Sequence, residues 1–192
     1  MPGPLEESLM SEDWRLLKRL RCGDRDALRR IYEKYRTDLF TVAASLLHNL
    51  HASEDCLQDV FVNLADAAGS SNIRRNLKGY MISCVANLAR DQLRKKPAVL
   101  NYPEAADCPA AASDPVQEAI GREESVRIFE ALAELPYEQR EAFVLHVQGG
   151  MKFRQIAGLQ DVSIKTAHSR YRYAIKKLQT LLGKADQYEI GK

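Results

Sequence analysis

Proline punctuates this chain so unevenly that it sets the organisation before any other feature. None occurs between Leu5 and Lys96; Pro97, Pro103, Pro109 and Pro115 then fall within 19 residues, and only Pro136 follows. Each proline removes a backbone donor and disfavours helix in the residue before it. The stretch Pro97–Val116 also holds six alanines and no basic residue, which predicts an extended, flexible, acidic linker. No internal repeat and no sustained strand-like alternation interrupts the flanking segments. The expected fold is all-α: two helical domains, 1–96 and 117–192, joined by linker 97–116.

The 192 residues suffice for one medium domain or two small ones, and 45% hydrophobic with 28% charged residues is an ordinary globular composition. No apolar run approaches the roughly 20 residues of a membrane-spanning helix, so no membrane insertion is expected. Met1 to Ser11 carry Glu6 and Glu7 and no basic residue, unlike a secretory signal. Cys22, Cys56, Cys84 and Cys108 lie 24 to 34 residues apart with no CxxC pair, a spacing that suits reduced thiols in the cytoplasm.

The net charge of +2 hides a segregated arrangement. Residues 73–96 hold seven basic residues against Asp91 alone, and residues 152–184 hold eight against Asp161. The intervening 98–141 carry ten acidic and three basic residues. One basic block is as readily a solvated helix face as a contact. Two blocks around an acidic middle point to a polyanion gripped at two places.

Apolar periodicity fills in the helices. Trp14, Leu17 and Leu20 suggest a short opening helix; Asp24 or Asp26 caps the next, with Leu28, Ile31, Tyr32 and Tyr35 on its buried face. Ser53 is the expected N-cap of a helix whose Leu57, Val60, Phe61 and Leu64 form one stripe. After a loop at Gly69–Asn72, a long helix from Asn76 to Lys96 turns Leu77, Met81, Cys84 and Leu88 inward and Asn87, Arg90, Asp91 and Arg94 to another face. The second half reads as four helices: Val116–Glu134, one starting at Pro136 and stopping at Gly149-Gly150, Lys152–Leu159, and Ser163–Leu182. The last two, joined by a turn at Gln160–Val162, make a helix-turn-helix pattern. Ala167, Tyr171, Ala174 and Leu178 take its inward positions, and Lys165, His168, Ser169, Arg172 and Lys176 the opposite face, the donor-rich surface that base edges and phosphates require.

At these positions the chain resembles the extracytoplasmic-function (ECF) sigma factors of bacterial RNA polymerase. Ser53-Glu54-Asp55-Cys56-Leu57-Gln58-Asp59-Val60-Phe61 is similar to that family's AEDLVQEVF block. Leu77 through Arg94 resembles FxxWLxxIARNxxxDxLR, with Asn87, Asp91, Leu93 and Arg94 matching. Ala131 to Pro136 followed by Arg140 resembles ALxxLPxxxR, and Ile156-Ala157, Thr166 and Ser169-Arg170 fit EIAxxLGxxxGTVKSR. Departures are Tyr80 for tryptophan, Ala86 for arginine, Gln155 for glutamate, Asp161 for the turn glycine, and Lys165, Ala167 and His168 on the final helix. Asp161 tolerates a left-handed turn, so these changes bear on promoter preference more than on fold.

The resemblance implies a protein that binds RNA polymerase core and directs promoter-specific initiation. Docking on the polymerase clamp helices would run through Ser53–Asp66, with Asp55, Gln58, Asp59 and Phe61 in contact; the flap is the second core contact. The −10 element would meet Ser70, Ser71, Asn72, Arg74, Asn87, Arg90, Asp91 and Arg94. The −35 element would meet Lys165, Thr166, His168, Ser169, Arg170, Arg172 and Lys176. Glu104, Asp107 and Asp114 of the linker would mimic phosphates in the polymerase cleft. Promoter DNA and polymerase core are thus the implied partners, with an anti-sigma factor as a further candidate.

Rival readings are weaker. His48 and His51 with Cys56 nearby could be read as metal ligands, but exposed or capping histidines account for them, and no metal or other cofactor is expected. No HExxH, phosphate loop or nucleophile elbow supports an enzyme. A stand-alone helix-turn-helix regulator of duplex DNA is the main alternative, and a degenerate family member acting as a decoy is a third; neither explains a second basic helix behind an acidic docking helix.

Overall fold

The computed structural model describes residues 4–67, 76–95 and 115–189. Its elements are α1 (Pro4–Arg21), α2 (Arg25–Leu47), α3 (Leu50–Ala67), α4 (Leu77–Lys95), α5 (Pro115–Ala133), α6 (Tyr137–Val147), α7 (Phe153–Leu159) and α8 (Ile164–Glu189). Every described element is a helix. The expected linker as far as residue 114, with Glu104, Asp107 and Asp114, and the loop holding Ser70, Ser71, Asn72 and Arg74, lie outside the described residues, while Pro115 and Val116, placed in the linker by sequence, open α5.

Local chemistry sets the helix ends. The Asp24 carboxylate accepts from the Asp26 and Ala27 amides at 2.9 and 3.4 Å, the N-cap expected of one of the two aspartates. For α3 the cap is Asn49, not Ser53: Asn49 Oδ1 accepts from the Ala52 amide at 2.9 Å, while Ser53, buried one turn in, donates its hydroxyl to the Asn49 carbonyl at 2.7 Å. Asn76 caps α4 through the Gly79 amide at 2.8 Å. Gln155 keeps the capping role that glutamate would have, its Oε1 accepting from the Lys152 amide at 2.9 Å. Asp161 sits at φ 51°, in the left-handed turn anticipated for it, and Ser163 caps α8 by accepting from the Thr166 amide at 3.0 Å.

In the first bundle α2 is the central element, packing on α1, α3 and α4. Ile31, Leu39, Val42, Leu46, Val60, Leu64, Leu77, Met81 and Ile82 form its core. Two aromatic side chains sit at the surface, one of them against the sequence reading. Trp14 is 56% exposed, with the Lys18 ammonium over its ring at 5.4 Å. Tyr32, expected inside, lies at the surface edge and caps the buried Phe61 ring at 4.9 Å between centroids. At the α1–α2 contact, Tyr35 donates to Asp13 at 2.7 Å and Lys34 bridges Glu12 and Asp13 at 2.6 and 2.9 Å.

The second bundle packs α8 against α5, α6 and α7. Leu132, Leu135, Ala142, Val144, Leu145, Ile156, Ala167, Ala174 and Leu178 are its buried positions. Phe153, the first residue of α7, stacks on His146 at 4.3 Å and meets Tyr171 edge-on at 5.3 Å. This aromatic wedge fixes the angle between the two helices of the helix-turn-helix.

The two bundles also touch each other. α2 reaches α5 and α6, and α4 reaches α7, so the buried apolar residues of both halves form one continuous cluster. Gly149 is tight at this seam: a Cβ there would stand 2.6 Å from the Leu145 carbonyl and 3.2 Å from Ile82 Cγ2 on α4.

Candidate nucleic-acid interface

The final helix carries the clearest surface of the kind the charge pattern anticipates. Lys165, Thr166, His168, Arg172 and Lys176 are exposed on α8, and Ser169 and Arg170 are half-buried. Ala167, Ala174 and Leu178 are buried behind them, while Tyr171 is half-covered by Phe143 and Phe153. Several of these side chains are already committed. Thr166 shares a hydroxyl hydrogen bond with Ser163 at 2.8 Å. The His168 ring meets the Phe153 ring edge-on at 4.9 Å. Arg170 Nη1 donates to Gln160 Oε1 at 2.9 Å. Lys165, Arg172 and Lys176 are left as the long cationic arms. Lys152 and Arg154, exposed at the start of α7, extend the basic surface; they belong to the 152–184 charge block, which was the signal that could have singled them out.

On α4, Asn87, Asp91 and Arg94 are exposed and Arg90 is half-buried. Arg94 pairs with Asp91 at 3.0 Å. Arg90 points the other way: its Nε donates to Glu141 Oε1 at 2.9 Å and its Nη1 to Asn87 Oδ1 at 3.3 Å. Glu141, on α6, is 1% exposed. Its carboxylate also accepts from the Tyr137 hydroxyl at 3.1 Å and from Gln160 Nε2 at 2.8 Å. Burial and the neighbouring Glu141 charge push the Tyr137 phenol well above its usual range. The donors run in series, Arg90 to Glu141, Gln160 to Glu141, Arg170 to Gln160, linking the expected −10 face to the expected −35 helix. Sequence reasoning missed Glu141 and Gln160, because neither type nor spacing marks a residue whose partner is 51 positions away.

The α3 surface corrects one expected contact. Asp55, Gln58 and Asp59 are exposed as anticipated, but Phe61 is only 8% exposed and belongs to the core, while Val62 is 59% exposed. Positions 55, 58, 59 and 62 are spaced i, i+3, i+4 and i+7, so Val62 shares a face with the three polar residues. On the inner side, burial and then the Asp59 charge push the Cys56 thiol up to about 12, and burial raises Cys84 as well. Cys56 is a core residue and the half-buried Cys84 packs against the core, settings that disfavour a thiolate nucleophile.

The metal reading does not gather its ligands. Among the described residues, no three His, Cys, Asp or Glu side chains are placed to hold an ion. His51 is exposed beside Glu54, whereas His48 caps α2 in a left-handed conformation and is buried against Phe129 of α5. No helix among the described residues is long and apolar enough to cross a membrane.

The Sigma-70 region 2 family matches residues 31–98, and the Sigma-70, region 4 family matches residues 125–178. The chain belongs to the ECF sigma factors. This sigma factor is 27% identical to RNA polymerase sigma factor CarQ of Myxococcus xanthus over 172 residues, covering 88% of this chain and 97% of that one. It is 23% identical to ECF RNA polymerase sigma factor SigK of Mycobacterium ulcerans, covering 87% and 91%. Its fold is similar to that of CnrH in complex with the cytosolic domain of CnrY, with TM-score 0.67, 22% identity, and 90% and 98% coverage. RpoE of Bartonella quintana, in complex with the anti-sigma factor NepR, aligns with TM-score 0.62 and 25% identity over 81% and 98%. The sigma factor directs promoter-specific transcription by RNA polymerase, and region 2 ends with α4 while region 4 runs from α5 into α8.

Proposed function

We propose how the work of this sigma factor is divided among its residues. Residues 1–96 dock on the core and engage the −10 element, 97–116 cross between the domains, and 117–192 read the −35 element. The observation that carries the reading is the α8 face, on which Lys165, His168, Arg172 and Lys176 are exposed over buried Ala167, Ala174 and Leu178. Major-groove recognition needs that combination: one helix face rich in donors, backed by a packed domain.

Core docking runs through the α3 face of Asp55, Gln58, Asp59 and Val62, three polar groups around one exposed apolar side chain. Asn87, Arg90, Asp91 and Arg94, with Ser70, Ser71, Asn72 and Arg74, supply the −10 contacts, where polar side chains can hold an unstacked base. The chain between the domains can reach: 20 extended residues span up to ~70 Å, and elements about 25 base pairs apart stand roughly 85 Å apart, a gap that the widths of the domains cover. Its Glu104, Asp107 and Asp114 stand in for phosphates in the polymerase cleft. The action is binding rather than catalysis, in the cytoplasm where polymerase works. CnrH and RpoE are each seen with a protein bound, which supports an anti-sigma factor as partner here.

Run-off transcription with purified core polymerase on genomic DNA, with and without the protein, tests this reading. Specific transcripts that appear only with the protein are expected. Absence of core binding at micromolar concentration by a folded sample would favour the stand-alone regulator.

A further inference from the structure

His48 occupies an unusual place. It ends α2 at φ 49°, is 4% exposed, and neither ring nitrogen has a hydrogen-bond partner among the described residues. Its imidazole meets the Phe129 ring of α5 at 4.5 Å, 67° between planes. Histidine is in region 2 and phenylalanine in region 4, so what seals the imidazole is the contact between the two halves. A buried imidazole with two unpaired nitrogens is tolerable only while neutral.

We propose that His48 is an acid-sensitive latch: when the halves close, region 4 shuts its imidazole away from water, and protonation of the exposed ring holds them apart. The surroundings support this from each side. From α5 the Phe129 ring packs against it at a steep angle; from α6 the group acting on it is the Arg140 guanidinium, itself buried and with no partner for its Nε among the described residues. Glu141, the carboxylate beside Arg140 in sequence, is committed to Arg90, Tyr137 and Gln160. The next titratable groups along the chain, His51 and Glu54, are exposed and face each other at 4.0 Å. A proton on the buried His48 therefore meets the Arg140 cation.

Burial, and then the Arg140 charge, lower His48 to about 3 in the closed form, against roughly 6.5 for an exposed histidine. The closed form binds fewer protons, so it is favoured at neutral pH and loses ground as pH falls through the open-form value. Between pH 7.5 and 5.5 the open-to-closed ratio should rise about tenfold. Opening would release Arg90 from Glu141 and unroof the polar cleft, about 760 Å³, whose walls include Asn87, Arg94, Tyr137 and Arg170. The −10 residues of α4 would then be free of region 4.

Single-molecule energy transfer on the full chain tests the latch without polymerase or promoter, so its failure is separable from failure of the functional reading. Dyes are attached through azide-bearing residues placed at exposed Thr37 and Gln179. The Arg90→Ala variant serves as a second background, in which the open population is larger at both pH values. The expected result is a tenfold rise in open-to-closed ratio from pH 7.5 to 5.5, abolished in His48→Phe, which keeps a ring against Phe129 but cannot titrate. An unchanged ratio in wild type, or the same rise in His48→Phe, would overturn the proposal. Should His48→Phe fail to fold, the ring resonance of His48 in the wild-type protein decides: it should stay neutral in the closed form to below pH 5, and titration near 6.5 with the halves closed would overturn the latch.

Discussion

Arg90 of α4 places its Nε 2.9 Å from Oε1 of Glu141 on α6, joining region 2 to region 4 through a carboxylate that is almost wholly out of water. Three donors share that carboxylate: Arg90, Tyr137 and Gln160. Removing the acceptor leaves all three pointing at a void. Glu141→Ala should therefore destabilise the protein by about 3 kcal/mol, with Glu141→Gln costing less because one oxygen remains. Thermal denaturation of the full chain measures both. Equal melting temperatures for wild type and Glu141→Ala would show that the carboxylate does not organise the seam.

With Phe61 in the core and Val62 outside, the proposed docking face predicts opposite behaviour from neighbouring residues. Phe61→Ala opens a cavity beneath Tyr32 and should cost about 3–5 kcal/mol of stability. Val62→Asp should leave the melting temperature nearly unchanged and weaken core binding at least about tenfold, as should Asp59→Arg by reversing a rim charge. Titration of labelled protein into core polymerase, with circular dichroism as the folding control, separates the two. Unaltered affinity in both Val62→Asp and Asp59→Arg would move the docking face elsewhere.

On α8, positioning and reading should be separable. Arg172→Ala, if the guanidinium is bidentate to a guanine, should cost ~1–3 kcal/mol and relax preference at one base pair of the −35 element. Lys176→Ala should weaken binding about evenly across sequences and lower the salt slope by roughly one unit. Holoenzyme binding to single-base −35 variants at several salt concentrations distinguishes the patterns. A uniform loss in Arg172→Ala would reassign that residue to phosphate contact and pass the reading role to Lys165, His168 and Ser169.

Two glycines give a control pair for the packing at the seam. A methyl group at Gly149 meets backbone at 2.6 Å, which cannot yield as a side chain would, and also Ile82 across the seam. Gly149→Ala should destabilise by ~1–3 kcal/mol. Gly158, exposed within α7, has nothing within 4 Å of the added carbon, and Gly158→Ala should stabilise by ~0.5–1 kcal/mol through helix propensity. Melting temperatures moving in opposite directions are the expected result; a shift in the same direction would contradict the close approach at Gly149.

What the sequence by itself determined is local. An aspartate cap at Asp24 or Asp26, the left-handed turn at Asp161, the stop at Gly149-Gly150 and the apolar periods of the long helices all depend on residues within about one helical turn of each other, where sequence spacing is spatial spacing. The donor face of α8 was legible for the same reason, since Lys165, His168, Arg172 and Lys176 recur at the helical period. Tertiary structure decided the phase of those patterns and every pairing between elements. The α3 stripe already turned Phe61 inward, but only the packing of α2 on α3 decided that Tyr32, expected inside, stays at the surface edge over the Phe61 ring. Ser53 and Asn49 are both good caps four residues apart, and the earlier start of α3 gave the role to Asn49. Arg90 with Glu141 and His48 with Phe129 join residues 51 and 81 positions apart. Such contacts arise when two packed bundles meet face to face, and no local period in the chain records which faces those are.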